Sequence, residues 1–235
     1  GHNPFVITET ADIDKALEST LRAQLYNQGQ DCASPNSILV HQSVYEEFKT
    51  RLAERLREVK VGPYADRNNT VGPINRMRDL GRIQTLIEDN RAFISQATEG
   101  VIRVKSHIVE PTIIEKPLEE GGNFTEQFAP IFFIQSYDTD DQLAQYFEDP
   151  RYARHAMYVG DSKYVDNLKE TGLHDETTII HDTDLLAAGV EKGTKPYGGF
   201  GSGASYVSIN GQSVAKPTLP QRDIFEYLVK PSLQS

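Results

Sequence analysis

The segment Ile131-Phe132-Phe133-Ile134 is apolar at every position, which is typical of a strand covered on both faces of a parallel sheet. Short runs of similar composition occur elsewhere in the chain. They are Phe5-Val6-Ile7, Ser37-Ile38-Leu39-Val40, Pro111-Thr112-Ile113-Ile114, Ala156-Met157-Tyr158-Val159 and Thr177-Thr178-Ile179-Ile180. We predict a strand at each of these runs.

Amphipathic stretches lie between the predicted strands. Apolar residues recur at helical spacing over residues 12–28, and Gly29 could end that helix. A second apolar stripe extends to Val59, and Ser43 and Glu46 form a predicted capping box at its start. Further helices are predicted over residues 75–88 and 143–147. Alternating strands and helices predict an α/β fold, a three-layer αβα arrangement around a mostly parallel, Rossmann-like sheet.

Composition excludes several classes of protein. Among 235 residues, 24 are Lys or Arg and 34 are Asp or Glu, so the formal net charge is −10. That balance argues against nucleic acid as a partner, because binding to nucleic acid rests largely on basic side chains that neutralise phosphates. No apolar run approaches the roughly 20 residues of a membrane span, and no signal-peptide pattern opens the chain. We therefore expect a cytoplasmic protein that has no membrane partner.

The domain boundary is predicted from a change in composition. Beyond Gly193 the sequence becomes rich in Gly, Ser, Pro and Tyr, which predicts long loops. We expect one domain over residues 1–215 and a C-terminal tail over residues 216–235. The tail contains Ile224, Phe225 and Val229, which are too apolar to remain in water, so we expect it to pack on something.

Cys32 is the single cysteine of the chain, which excludes an internal disulfide. A lone thiol is more often a small buried hydrophobic residue than a nucleophile. Here, however, the neighbours are Gln30, Asp31, Ser34 and Asn36, and this polar context favours an exposed loop. Both interpretations stay open on composition alone.

Two other patterns do not indicate a site. Gly198-Gly199-Phe200-Gly201-Ser202-Gly203 is followed by a segment without helical periodicity, whereas a dinucleotide-binding motif opens a helix. His174 and His181 flank a predicted strand and would lie roughly 23 Å apart at about 3.3 Å per residue. That separation is too large for one ion, and we predict no metal site.

Four stretches of the chain carry a shared pattern in a fixed order. They are Gly1-His2-Asn3-Pro4-Phe5-Val6, Tyr26-Asn27-Gln28-Gly29-Gln30-Asp31-Cys32, Thr125-Glu126-Gln127-Phe128-Ala129-Pro130 and Lys195-Pro196-Tyr197-Gly198-Gly199-Phe200. This order resembles the aldehyde dehydrogenase superfamily, in which the cysteine of the second stretch is the nucleophile. The resemblance extends over nearly the whole chain and corresponds to the C-terminal catalytic domain, without the cofactor-binding half.

The resemblance implies a role for three residues. Cys32 would attack the carbonyl of a small-molecule aldehyde to give a thiohemiacetal, which is oxidised to a thioester and hydrolysed to the carboxylic acid. Glu126 would hydrogen-bond the nicotinamide ribose, and Phe128 would pack near the nicotinamide ring. The cofactor would be NAD or NADP. The backbone N–H of Cys32 would be one donor to the oxyanion.

The sequence also departs from the family pattern. Ala129 replaces a usual Gly, the Pro196-Tyr197-Gly198-Gly199 loop is one residue shorter than the common form, and no Glu follows Ser202-Gly203. These departures suggest a divergent subfamily. The family's general base, its dinucleotide-binding domain and its second oxyanion donor lie outside this sequence. We therefore expect the isolated chain to be inactive as a dehydrogenase.

Two alternatives remain at this point. The chain could be a Cys32-dependent esterase, or a non-catalytic pseudoenzyme that serves as an assembly module. In the family, the C-terminal segment joins an oligomerisation sheet. The resemblance therefore implies a homo-oligomer formed through the tail at residues 216–235.

Overall fold

The computed structural model describes residues 2–148, 155–170, 178–184, 205–209 and 212–216. Its helices are α1 (Ile13–Leu25), α2 (Gln42–Arg57), α3 (Met77–Asp89), α4 (Asp140–Glu148) and α5 (Ser162–Glu170). Its strands are β1 (Asn3–Ile7), β2 (Pro35–His41), β3 (Ile102–Arg103), β4 (Ile108–Val109), β5 (Thr112–Glu115), β6 (Ile131–Tyr137), β7 (His155–Val159), β8 (Thr178–His181), β9 (Ser205–Ile209) and β10 (Gln212–Lys216).

A parallel sheet forms the centre of the fold. Its strands lie in the order β5-β6-β2-β1-β7-β8, and every neighbouring pair runs parallel. Phe5 of β1 pairs with Ile38 of β2, which in turn pairs with Ile134 of β6. The predicted mostly parallel α/β sheet is confirmed, and each predicted strand run lies within a strand or overlaps one.

Helices cover both faces of this sheet. Ile38 and Val40 of β2 contact α1 and α2, whereas Leu39 lies on the opposite face beside α4 and α5. On that second face α3 packs on β6 through Ile131 and Phe133. Burying one such side chain stabilises the fold by roughly 1.5–3 kcal/mol. The three-layer αβα architecture is therefore confirmed.

Helix α1 ends earlier than the predicted residue 28. Asp12 caps its start by accepting a hydrogen bond from the backbone N–H of Lys15 at 3.1 Å. The helix ends at Leu25, and residues Tyr26–Gly29 form a 3-10 turn. Because Asn27 and Gln28 adopt a left-handed backbone, the right-handed helix cannot continue through them.

The predicted capping box at the start of α2 is wrong. The helix begins at Gln42, directly after β2, and the capping residue is His41. The Nδ1 atom of His41 accepts a hydrogen bond from the backbone N–H of Ser43 at 3.2 Å. Ser43 therefore lies inside the first turn, where its hydroxyl pairs with the same ring at 2.7 Å.

The long loops predicted beyond Gly193 are interrupted by a hairpin. Strands β9 and β10 pair antiparallel, with Val207 opposite Val214. The glycine-rich stretch at residues 198–203 and the tail at residues 217–235 lie outside the described residues. The division into a domain over 1–215 and a tail over 216–235 therefore stays a prediction. Among the described residues, no helix is long and apolar enough to cross a bilayer.

Candidate functional site

The predicted site residues come together at one edge of the sheet. Asn3 opens β1, Cys32 lies just before Pro35 at the start of β2, and residues 126–128 precede Ile131 at the start of β6. Because these strands are adjacent and parallel, their amino ends meet at the same edge. The fold therefore places the Cys32 loop, residues 26–34, beside the Glu126 loop, residues 123–130.

The opposite edge is filled at the position where open α/β sheets usually bind ligands. That position lies between β1 and β7, because the helices that follow these strands cover opposite faces. There the backbone N–H and the hydroxyl of Thr8 each donate to the Val159 carbonyl at 3.1 Å. A Cβ on Gly160 would lie 2.0 Å from Thr8 Oγ1. This close packing favours the amino edge as the candidate site.

A left-handed turn leads from α1 to Cys32. The φ angles of Asn27, Gln28 and Gly29 are 47°, 58° and 70°. For residues with a side chain this backbone costs on the order of 1–2 kcal/mol each. Side chains support the turn, since Asn27 Nδ2 donates to the Gln30 carbonyl at 2.9 Å and Gln30 Nε2 donates to the Asn27 carbonyl at 3.1 Å.

Cys32 is exposed and lies in a turn. Asn3 Nδ2 donates to the Cys32 carbonyl at 2.6 Å and to the Ser34 carbonyl at 3.3 Å. Asp31 Oδ1 accepts a hydrogen bond from the backbone N–H of Ala33 at 2.7 Å. The backbone is therefore held on both sides of the sulfur. The expectation of an exposed loop is confirmed, whereas the catalytic role of Cys32 stays a prediction.

Asn36 joins the Glu126 loop to the start of β2. Its Nδ2 donates to the Thr125 carbonyl at 2.8 Å, and its Oδ1 accepts from the backbone N–H of Gln127 at 3.1 Å. The Asn36 carbonyl accepts from Gln127 Nε2 at 2.7 Å and from Asn123 Nδ2 at 2.8 Å. Because Asn36 lies four residues beyond Cys32, this network fixes the Glu126 loop relative to the sulfur.

Arg82 of α3 holds the same loop from its other side. Its guanidinium donates to the carbonyl of Glu126 and, at 2.6 Å, to the carbonyl of Gln127. Partial burial lowers the pKa of Arg82, and the nearby Asp79 carboxylate opposes that shift. Arg82 has no recognisable signal in the sequence, because nothing in the local pattern of α3 distinguishes it from a surface arginine.

Phe128 borders a cavity together with the Cys32 loop. The cavity has a volume of about 760 Å³, and Asn27, Gln28, Gln30 and Phe128 are among its lining residues. This volume lies within the range of small-molecule sites. Glu126 is half-buried near this cavity without lining it. Cys32 does not line the cavity either, so the structure brings Phe128 and residues 27, 28 and 30 of the Cys32 loop to one cavity.

The replacement of a usual glycine by Ala129 fits the local backbone. Positive φ angles occur at Phe128, with 51°, and at Gly29, whereas Ala129 does not have one. Ala129 is fully buried against α3 and β6. A methyl group is therefore accommodated at residue 129, while the glycine-like backbone lies one residue earlier.

No metal site is visible in the described part of the chain, where no cluster of three or more His, Cys, Asp or Glu residues could hold an ion. His181 lies at the end of β8, and its Nε2 pairs with the Gly160 carbonyl at 2.9 Å. His174 and the Lys195-Pro196-Tyr197-Gly198-Gly199-Phe200 stretch fall outside the described residues.

A family model described as the aldehyde dehydrogenase family matches residues 1–202. The chain belongs to the aldehyde dehydrogenase family. It is 27% identical over 212 residues to succinate-semialdehyde dehydrogenase (NADP(+)) 2 of Schizosaccharomyces pombe, covering 86% of this chain and 40% of that relative. It is 32% identical over 155 residues to a mitochondrial aldehyde dehydrogenase of Leishmania tarentolae, covering 65% of this chain and 31% of that relative.

Solved aldehyde dehydrogenase structures share the fold. An aldehyde dehydrogenase from Brucella melitensis biovar abortus 2308 superposes with a TM-score of 0.76 at 21% identity, covering 97% of this chain and 44% of that one. A 1-pyrroline-5-carboxylate dehydrogenase from Thermus with bound NAD gives a TM-score of 0.72 at 20% identity, covering 85% of this chain and 38% of that one. The Schizosaccharomyces pombe relative is named as an NADP(+) enzyme, and the Thermus structure contains bound NAD. The chain spans 31% to 40% of the length of the two relatives above.

Proposed function

We propose that the chain is the catalytic half of an NAD(P)-dependent aldehyde dehydrogenase in which Cys32 is the nucleophile. The observation that carries this proposal is the position of Cys32. The sulfur-bearing residue is exposed, its own carbonyl is held by Asn3, and the loop beside it carries Glu126 and Phe128. A nucleophile must be both reachable and fixed in orientation, and this arrangement meets both needs.

The chemistry of Cys32 follows from its thiolate. The sulfur adds to the aldehyde carbonyl carbon, and the carbonyl electron pair moves to oxygen. We assign the backbone N–H of Cys32 as one donor to that oxyanion, a type of contact that lowers the barrier by roughly 3–4 kcal/mol. Once the thiohemiacetal carbon has given up its hydride, water attacks the carbonyl carbon of the resulting thioester and the Cys32 sulfur leaves with a proton. The carboxylic acid is released and the thiol is restored.

The residues around the cavity fit a nicotinamide nucleotide. The aromatic ring of Phe128 and the amides of the Cys32 loop line it, and together they can contact a flat ring and its carboxamide. We assign Glu126 to the ribose hydroxyls, since a carboxylate accepts two hydrogen bonds from a diol. When bound, the nicotinamide supplies the acceptor for the hydride. Arg82 orients the backbone of Glu126 for this contact.

The nucleophile assignment is tested in the full-length protein. Cys32→Ala should reduce aldehyde-dependent formation of the reduced nicotinamide by roughly 1000-fold or more, because the covalent route is lost. Glu126→Gln should raise the KM for the cofactor, and Glu120→Gln is its matched control, since Glu120 is exposed on the turn Leu118–Glu120. Unchanged activity in Cys32→Ala would overturn the role of Cys32.

An esterase activity is a second candidate, favoured by the exposure of Cys32. Acylation by an activated ester needs no cofactor, so the 235-residue chain itself can be tested. A nitrophenyl ester should give a burst of nitrophenolate that iodoacetamide abolishes. Iodoacetamide is informative because no other cysteine is present. Absence of a burst, together with absence of dehydrogenase activity in the full-length protein, would favour the non-catalytic assembly module.

Three further expectations belong to this proposal. The isolated chain is inactive as a dehydrogenase, the protein is cytoplasmic, and it forms a homo-oligomer through residues 216–235. The first is tested by the absence of NAD(P)-dependent oxidation by the chain alone, and the last by sedimentation with and without residues 222–235. An unchanged monomer in both sedimentation experiments would contradict the role of the tail.

A further inference from the structure

A buried amide of α1 joins the two loops of the site. Gln24 is 1% exposed, and its Nε2 donates to the Ala129 carbonyl at 2.9 Å. The same carbonyl would lie 2.2 Å from a Cβ on Gly29, so the Cys32 loop packs directly on this peptide group. The end of α1, the Cys32 loop and the Glu126 loop therefore meet at the Ala129 carbonyl.

The Gln24 amide is only partly satisfied. Its Oε1 is buried and has no hydrogen-bond partner among the described residues. An apolar side chain of the same length would avoid this desolvation cost, so stability alone does not explain an amide here. The Ala129 carbonyl also accepts from the backbone N–H of Ile131 at 2.7 Å. Gln24 is therefore not needed to pair that carbonyl, and its hydrogen bond adds a direct link from α1 to the Glu126 loop.

We propose that Gln24 is a positioning residue that sets the spacing between the Cys32 loop and the residues assigned to the nicotinamide nucleotide, Glu126 and Phe128. The relevance of this spacing to catalysis rests on the proposed function. The hydrogen bond from Gln24 holds residue 129, and Phe128 precedes it with a φ of 51°. Because Phe128 and Ala129 share a peptide bond, a displacement of Ala129 moves the Phe128 backbone as well.

The chain contains no tryptophan, which allows a specific probe of this loop. Phe128→Trp introduces one fluorophore at the residue that the inference concerns. On this background, Gln24→Met keeps the length of the side chain and removes the donor. Losing one hydrogen bond should increase the population of displaced loop about 2- to 10-fold. We expect a corresponding rise in acrylamide quenching of the tryptophan, measured well below the unfolding temperature.

A second variant separates positioning from packing. In Gln24→Glu the introduced carboxylate faces the Ala129 carbonyl and repels it, but its protonated form regains a donor. Burial should raise the pKa of this carboxyl above its usual value near 4.3. On mild acidification, quenching in Gln24→Glu should therefore return to the level of the Phe128→Trp parent. Quenching in Gln24→Met should stay constant over the same pH range.

Thr20→Val is the matched control. Thr20 lies one turn before Gln24, is equally buried, and its Oγ1 has no hydrogen-bond partner in the part of the chain that the structure describes. The substitution keeps the shape and removes no hydrogen bond to either loop, so quenching should not change. The rate of Cys32 alkylation by iodoacetamide should also be unchanged in Gln24→Met, because Asn3 and Asp31 still hold that loop.

Equal quenching in all variants would overturn the inference, even if Gln24→Met lowers the unfolding temperature. Should Gln24→Met fail to fold, Gln24→Glu decides: at a pH where its carboxyl is protonated, quenching equal to that of Phe128→Trp alone supports the inference, and higher quenching or failure to fold contradicts it. The outcome is separable from the proposed function. If Cys32→Ala keeps full activity, the dehydrogenase mechanism is contradicted, but the quenching result for Gln24 still stands. If Cys32→Ala is inactive and the Gln24 variants leave tryptophan quenching unchanged, only the role of Gln24 is contradicted.

Discussion

Gly29→Ala should disturb the site strongly, although it adds only one methyl group. A Cβ at residue 29 would lie 2.2 Å from the Ala129 carbonyl oxygen and 2.6 Å from its carbon, where real contacts stay beyond 3.0 Å. Both atoms belong to the backbone, so relief requires the two loops to separate. The φ of +70° adds a conformational cost for alanine. We expect the free energy of unfolding to fall by about 2–5 kcal/mol.

Two other glycines separate the cost of the steric clash from the cost of a positive φ. Gly100 has a similar φ of +65°, but the atom nearest to a Cβ there is Ile94 Cδ1, the end of a flexible side chain, at 2.9 Å. Gly100→Ala should cost only about 1–2 kcal/mol. Gly81 lies inside α3 with nothing within 4 Å of a Cβ, so Gly81→Ala should stabilise by about 0.5–1 kcal/mol.

Urea unfolding followed by circular dichroism measures all three variants on one scale. For a chain of this size, the Gly29→Ala effect corresponds to a fall in unfolding temperature of roughly 4–20 °C. Cys32 alkylation then reports whether the loop itself has moved. If Gly29→Ala costs no more than Gly100→Ala, the close approach of the Cys32 loop to the Glu126 loop is refuted.

Three further predictions concern Asn3 and Arg82, which hold the loops of the candidate site, and Asp182, which follows strand β8. Asn3→Ala should destabilise the chain by about 1–3 kcal/mol and change the alkylation rate of Cys32, measured with iodoacetamide, because two carbonyls around the sulfur lose their donor. Arg82→Met should raise the KM for the cofactor in the full-length protein more than Arg82→Lys does, while the ester burst stays constant, because the hydrogen bonds of the guanidinium to the described residues go to the Glu126 loop. Burial raises the pKa of the Asp182 carboxyl, but the hydrogen bond from Lys15, the charges of His181 and Lys15 and a backbone hydrogen bond at Gly160 together outweigh it and hold the pKa below its usual value. The stabilisation is therefore present above about pH 4 and lost as the pH falls through the lowered pKa, so Asp182→Asn should show a smaller drop in urea midpoint on acidification.

Local composition was sufficient to predict the sheet. Segments such as 131–134 are apolar on both faces, and a strand between two helical layers needs that pattern. The ends of elements were less predictable, because they depend on backbone geometry. Helix α1 stops at Leu25 through a left-handed turn, and α2 takes its cap from His41, which belongs to the preceding strand. The β9–β10 hairpin does have a local signal in the sequence, the Asn210-Gly211 pair between two β-rich segments.

The site was predictable in part, the exposed loop from the polar neighbours of Cys32 and the roles of the site residues through the family resemblance. The motif around Cys32 indicated an exposed loop correctly, and the Glu126 motif indicated a segment that the fold places beside it. Arg82 and Gln24 are not part of any such local motif. Each contacts the Glu126 loop across 44 to 105 positions of sequence, so its role depends on how helices dock on the sheet.

Amides, with Asp31 as the acidic exception, connect the loops at this edge of an acidic protein. With a net charge of −10, the chain has many carboxylates available. Yet the side chains that connect the loops are largely Asn and Gln, among them Asn3, Gln24, Asn36 and Gln127. Amides donate and accept hydrogen bonds without adding charge. A carboxylate in their place would accept but not donate, and negative charge near a sulfur disfavours its thiolate. Replacing Asn36 by Asp would therefore break the bond to the Thr125 carbonyl and slow Cys32 alkylation as well, whereas a role confined to packing would affect stability alone.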